Sequence, residues 1–172
     1  MSVLVRQAEP GDERALALAG AATFLDSYAG VVDGAAIVRH CFERHTPQVY
    51  AAALADPAQA LWIAEAAPGG APVGYLHLAP PGLPVETRPG DIEMKRIYVL
   101  SRLQRTGLGL RLLEHGLAHA RAAGRSRMLL GVYQGNERAI AFYKAQGFHQ
   151  AGEREFDVGG RVYCDWVMAR DI

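Results

Sequence analysis

The strongest constraint on topology lies between residues 92 and 133. IEMKRIYVL (92–100) reads as a strand, QRTGLG (104–109) as a glycine loop, LGLRLLEHGLAHARAA (108–123) as a helix and RMLLGVY (127–133) as a second strand. The helix follows from Leu110, Leu113, Leu117 and Ala120, which recur at i, i+3, i+7 and i+10. Two strands joined through a helix lie parallel with a right-handed crossover, so the glycine loop sits at the carboxyl end of the first strand.

The flanking segments supply the remaining elements. VLVRQA (3–8) predicts a short strand, and EPGDERALALAGAATFLDSYAG (9–30) a helix with Asp12 and Glu13 suited to its first turn. Asp33 can cap a second helix through about Arg44. Thr46 and Pro47 mark a fresh start, with Thr as N-cap and Pro at the first helical position, so two helical pieces fill 34–55. LWIAEA (61–66) and PVGYLHLA (72–79), separated by APGGA, predict a hairpin, and PPGLPVETRPGD (80–91), with four prolines, a loop. GNERAIAFYKAQG (135–147) predicts a short helix closed by Gly147. FHQAGEREF (148–156) and RVYCDWVMA (161–169) predict a final hairpin about a Val158, Gly159, Gly160 turn. No repeat, linker or low-complexity segment interrupts the 172 residues, so one domain, 1–172, is expected, long enough to bury roughly 70% of its unfolded surface.

Lys plus Arg equals Asp plus Glu at 18 each, which gives no overall charge to favour nucleic acid or an anionic membrane. MSVLVRQAEP lacks the regions of a signal peptide, and no stretch approaches about 18 uninterrupted apolar residues; a soluble cytoplasmic protein is expected. Cys41 and Cys164 have neither CxxC nor His/Cys spacing, so no disulfide framework, zinc site or redox motif is expected, and each reads as a buried small apolar residue.

The loop itself narrows the ligand. QRTGLG lacks the GK[ST] ending of a P-loop, which disfavours an NTPase. The dinucleotide fingerprint needs glycine where Leu112 stands and an acid near Arg127 and Met128, which disfavours a Rossmann dehydrogenase. What remains is either an ordinary strand-to-helix turn or an anion site. In the second case Gly107 and Gly109 admit the backbone close to an anion, N–H groups of a helix N-terminus point at it, and Arg102, Arg105 and Arg111 add charge. Downstream, Asn136 sits at an N-cap position with Tyr143 seven residues on; both share one helical face, separated by about 10 Å. Taken singly they also read as a cap and a half-buried aromatic.

Together these pieces resemble the GCN5-related N-acetyltransferases. Gln104, Gly107 and Gly109 form the Q/RxxGxG/A signature, preceded by RIYV and followed by NERAIAFYKAQGF in family order, and the order of elements matches over nearly the whole chain. More narrowly, IEMKRIYV, LGVYQGNERAIAFYKAQGF and the TFLDSYAG segment are similar to the PaiA-type branch, which acetylates spermidine and spermine. The resemblance implies the acyl-CoA N-acyltransferase fold: an α/β, three-layer α/β/α sandwich with a mixed, mostly antiparallel sheet of about seven strands and one parallel βαβ unit at the coenzyme A site. It implies that backbone at Ile97, Tyr98 and Val99 pairs with the pantetheine arm. Gln104, Arg105, Thr106, Gly107, Leu108 and Gly109 would take the pyrophosphate, Asn136 would hold the arm, and Tyr143 would lie near the sulfur.

Acetyl transfer from a thioester needs a neutral amine, yet an alkyl ammonium of pKa about 10.4 is deprotonated to roughly one part in 2,500 at neutral pH, a deficit of about 4.6 kcal/mol. Glu93, on the strand beside the acetyl site, is the candidate base, directly or through a water; the alternative is a salt bridge with Lys95, Arg96 or another cation. Tyr143 is the candidate acid for the departing thiolate, and the Val99 N–H polarises the carbonyl. No metal is expected: His115 and His119 are spaced i, i+4 but lack a third ligand and read as solvent-facing, and His40, His45, His77 and His149 carry no motif. Asp26, Glu43, Glu86 and Asp91 are scattered acids that hint at a cationic acceptor.

The expected function is therefore transfer of acetyl from acetyl-CoA, as co-substrate, to a small primary amine, with polyamine leading on branch resemblance. Alternatives are a protein N-terminal or lysine amine, and a coenzyme A sensor without turnover, against which the joint presence of Glu93 and Tyr143 argues. The expected partners are acetyl-CoA and the amine, with no nucleic acid and no membrane; a homodimer is compatible with the sequence but not specified by it.

Overall fold

The computed structural model describes residues 2–158 and 160–172; Gly159, the middle of the expected final turn, lies outside them. In chain order the elements are β1 (Ser2–Gln7), α1 (Glu13–Tyr28), α2 (Gly34–Arg44), α3 (Pro47–Ala55), β2 (Ala60–Ala67) and β3 (Ala71–Ala79). Then follow β4 (Asp91–Val99), a 3-10 turn (Ser101–Leu103), α4 (Leu108–Ala122), β5 (Arg127–Tyr133), α5 (Glu137–Ala145), β6 (His149–Val158) and β7 (Arg161–Asp171).

The helix starts obey their caps. Asp33 Oδ1 accepts the N–H groups of Ala35 and Ala36 at 3.1 and 3.2 Å, and Thr46 Oγ1 accepts that of Val49 at 3.2 Å with Pro47 in the first turn. Asp12 behaves differently. Its carboxylate makes no cap bond to α1; it is held by the Arg6 guanidinium at 2.7 and 2.8 Å, which lowers its pKa below the ordinary carboxylate range. The first helix ends at Tyr28, two residues before the expected Gly30, where a positive φ of 82° turns the chain toward α2.

The sheet order is β1-β2-β3-β4-β5-β7-β6, and among the described residues β4 and β5 are its parallel pair. Helices α4 and α5 cover one face with Leu112, Leu113, Leu117 and Ile140, joined by Phe148 between α5 and β6, packed on Met128, Leu130 and Met168. Complete burial of a leucine such as Leu112 or Leu113 contributes about 1.5–3 kcal/mol. On the other face α1 and α3 pack Leu16, Ala19 and Tyr50 on Leu61, Ile63 and Tyr75. There α2 meets β6 through Ile37 and Val158, and the proline-rich loop packs Leu83 on Leu129 and Val167. The result is the three-layer α/β/α sandwich of the acyl-CoA N-acyltransferase fold. No helix among the described residues is long and apolar enough to cross a membrane.

Several side chains depart from the sequence reading. Asp91 belongs to β4 rather than to a loop, and its fully buried carboxylate pairs with Arg127 at 2.6 and 2.8 Å, so it is not available to a polycation. Cys164 is exposed and Cys41 half-buried; strand alternation points Cys164 away from the face that buries Asp165. His45 and His77 are buried rather than incidental, bonded to Tyr50 and Gln59 at 2.9 and 2.6 Å, whereas His119 packs edge-on against Trp62.

Candidate active site

The site is built where the parallel strands part. Strands β4 and β5 pair at Asp91, Ile92 and Glu93, and then pairing stops although both continue, to Val99 and Tyr133. The cause lies on the other edge of β4. His77 faces Arg96 and Leu78 faces Met94 across β3, so Lys95 is an extra residue, a bulge that bends β4 and increases its twist. Beyond Glu93 the β4 edge facing β5 has no strand partner among the described residues, and a cavity of about 420 Å³ fills the gap. Ile97, Tyr98 and Val99 line it.

The glycine loop closes one end. Gly107 has φ 84°, open to glycine at little steric cost, and no side chain caps the first turn of α4, which leaves its leading N–H groups free to meet an anion. A side chain at Gly109 would project into open space, and both glycines line the cavity. Gln104 and Arg105 line it too, with the Gln104 Nε2 donating to Val99 O at 3.1 Å. Thr106 donates its hydroxyl to Leu103 O at 2.7 Å, and the Leu108 side chain is core, so neither lines the cavity with its side chain. Arg111 donates to Val3 O at 3.0 Å and, like Arg102, is not among the lining residues.

Helix α5 forms the opposite wall. Asn136 Oδ1 accepts the Ala139 N–H at 3.1 Å and thereby caps the helix, while the residue also lines the cavity. Tyr143 lines it from the same helix, as the spacing predicts, but it is buried rather than half-buried, wedged edge-on between Phe142 and Phe148. Its hydroxyl has no hydrogen-bond partner among the described residues, and burial, with Tyr98 nearby, pushes its pKa up.

Glu93 is not among the lining residues. It is the last residue of β4 paired to β5, at the closed end of the gap, and its Oε2 accepts the Gly82 N–H at 2.7 Å. The alternative, a salt bridge with Lys95, Arg96 or another cation, is not what holds it among the described residues; its partner is a backbone donor from the proline-rich loop. Four cations that line the cavity, Lys95, Arg96, Arg105 and Arg138, face no carboxylate there. Asp26 draws the end of α1 toward the site by accepting Ser101 N–H and Oγ at 2.6 and 3.0 Å, and Tyr28 OH meets Tyr98 OH at 3.4 Å.

No motif in the sequence marks Arg138, Tyr28 or Asp165 as site residues, and Arg96 enters there only as an alternative partner of Glu93. Arg138 had a signal: a cation in the first turn of α5 opposes the helix dipole and calls for a reason outside the helix. Asp165 had one as well, a carboxylate on the inward parity of RVYCDWVMA.

The comparisons with known proteins agree with this geometry. The acetyltransferase (GNAT) family model matches residues 28–148. An uncharacterised N-acetyltransferase of Mycobacterium tuberculosis is 35% identical over 123 residues, 72% of this chain and 74% of that one. A PaiA N-acetyltransferase from Thermoplasma acidophilum, in complex with coenzyme A, has the same fold at TM-score 0.79 and 18% identity, covering all of both chains. A spermidine N-acetyltransferase chimera of Vibrio cholerae has it at TM-score 0.70 and 19% identity, over 99% of this chain and 96% of that one. With its strands parted at a bulge, its glycine loop opening a helix and a family model spanning most of its length, the chain belongs to the acetyltransferase (GNAT) family.

Proposed function

We propose that the chain moves the acetyl group of acetyl-CoA directly to a primary amine, that the acceptor is a small polyamine of the spermidine or spermine kind, and that it acts in the cytoplasm. The cavity between the parted strands carries the first half of this reading: it is cationic, free of carboxylates, and joins an uncapped helix N-terminus to a buried phenol. The fold likeness to a coenzyme A-bound PaiA enzyme and to a spermidine N-acetyltransferase chimera supports the polyamine acceptor.

In this reading the free backbone edge at Ile97, Tyr98 and Val99 pairs with the pantetheine amides as an added strand would. Backbone N–H groups from Gln104 through Arg105, Thr106, Gly107 and Leu108 to Gly109 hold the pyrophosphate, with Arg105 and Arg138 neutralising charge, and the Asn136 amide orients the arm. Glu93 takes the ammonium proton through intervening water. The amine nitrogen then bonds to the thioester carbon, the C–S bond breaks, the Val99 N–H steadies the carbonyl oxygen, the Tyr143 phenol gives its proton to the leaving sulfur, and the surplus proton of the new amide nitrogen restores the phenol.

The test is release of coenzyme A thiol from acetyl-CoA against spermidine, spermine, simple monoamines, amino acids and peptides. Polyamines should lead in kcat/KM, with an advantage that shrinks as salt is added. Turnover confined to peptides would discard the polyamine, and coenzyme A binding without thiol release from any amine would discard the transfer.

A further inference from the structure

A second, smaller recess adjoins the cavity on the face covered by α1 and α2. Phe24 and Tyr28 of α1, Tyr133 of β5, Phe156 of β6 and Tyr163 of β7 wall it, and Asp165 lies among them. Tyr28 and Tyr133 line both spaces, so the two are neighbours that share these rings as a wall. The recess has about 10 Å³ of room, which suits one water-sized group and no more. An ammonium head is that size.

The chemistry of the walls selects the charge of the guest. Asp165 is 4% exposed and stands opposite Tyr133 on one side and Arg154 on the other. Arg154 Nε and Nη2 both approach Oδ2, at 3.0 and 2.9 Å, whereas Oδ1 has no hydrogen-bond partner among the described residues. Arg154 is the charged group facing Asp165 from β6, and no charged residue other than Asp165 lines the recess. An anion would meet a carboxylate and the electron-rich faces of the rings. A neutral hydroxyl would gain the one free oxygen, but a cation gains both the oxygen and the rings. The Arg154 guanidinium, 4.9 Å above Phe156, already shows a cation held against one of these rings. Asp165 is also the sole carboxylate among the described residues lining either space.

We infer that Asp165 and the rings around it bind a second, non-reacting ammonium of the acceptor, which makes the preferred substrates amines with two or more cationic centres. This rests on the acetyltransferase reading above and specifies its acceptor subsite. One end of the substrate is anchored in the recess while the other reaches the cavity beside Tyr143. Asp165 is then a specificity residue, not a base.

Equilibrium binding tests it without turnover. With coenzyme A bound, 1,4-diaminobutane and butylamine are titrated calorimetrically into the wild-type protein, Asp165→Asn and Tyr163→Leu. The wild type should bind the diamine about tenfold or more tightly than the monoamine, the order expected of a desolvated cation on aromatic faces plus a carboxylate. Both variants should lose most of that ratio. Tyr163→Leu removes a ring and leaves the buried ion pair intact, so it separates loss of the subsite from disturbance of Arg154. Equal affinities in the wild type, or a ratio that survives either substitution, overturn the subsite even if acetyl transfer is observed. An Asp165-dependent ratio in a protein that releases no thiol upholds the subsite and removes the transferase reading instead.

Discussion

Tyr143 can serve as an acid because its surroundings keep it protonated. Burial raises its pKa above the ordinary phenol value, so at neutral pH it holds its proton, which moves to sulfur only as negative charge develops there. Tyr143→Phe keeps the ring wedged between Phe142 and Phe148, and should lower kcat by about 10²-fold while coenzyme A affinity stays nearly unchanged. Normal turnover in that variant would exclude the phenol from the reaction. Glu93 has a different signature. Glu93→Gln retains an oxygen for the Gly82 N–H, so the loop should stay in place. The rate should fall most at neutral pH and recover as pH approaches the amine's own pKa of about 10.4. A loss equal at every pH would leave Glu93 as an anchor for the loop alone.

At the scale of elements, the glycine loop and α4 act as one device: a left-handed residue turns the chain and an uncapped helix start follows. Gly109→Leu separates binding from folding, because the new side chain meets nothing in the free protein but enters the space assigned to the phosphates. Calorimetry should show coenzyme A affinity at least about tenfold weaker, with a melting temperature shifted by no more than about 4 °C. Unchanged affinity would make the loop an ordinary turn. Elements of this kind are legible from sequence because their signals are local: Asp33, Thr46 and Asn136 each cap a helix through an N–H two or three residues away. The parting of β4 from β5 carries no such local mark. It depends on which residue of β3 faces Met94, a matter of register between strands joined by a long loop.

For the molecule as a whole, buried imidazoles set the response to acid. Burial first, and the charge of Arg96 second, lower His45 and His77 to about 3; burial likewise lowers His40 to about 4. The folded state therefore holds them neutral, whereas the unfolded chain takes up protons below about pH 6.5. Their contribution is complete above that value and is lost as pH falls toward 3, where the carboxylate pairs begin to fail as well. Urea unfolding between about pH 6 and about pH 5 should show stability falling with a slope that His77→Leu reduces by up to about 1.4 kcal/mol per pH unit. An unaltered slope would mean that His77 is already protonated in the folded protein. This buried group, like Asp165 in its aromatic recess, draws its character from α1 and from strands spread over the whole chain. The parallel unit, the glycine loop, the caps and the pairing of Asn136 with Tyr143 on one face are legible in the residues alone, because each is encoded within a few helical turns. Folding the whole chain is what sets Glu93 at the closed side of the gap, binds Asp91 to Arg127, and brings a carboxylate and five rings into one recess. Burial and strand register are properties of partners brought together from distant positions, and no short stretch of residues contains them.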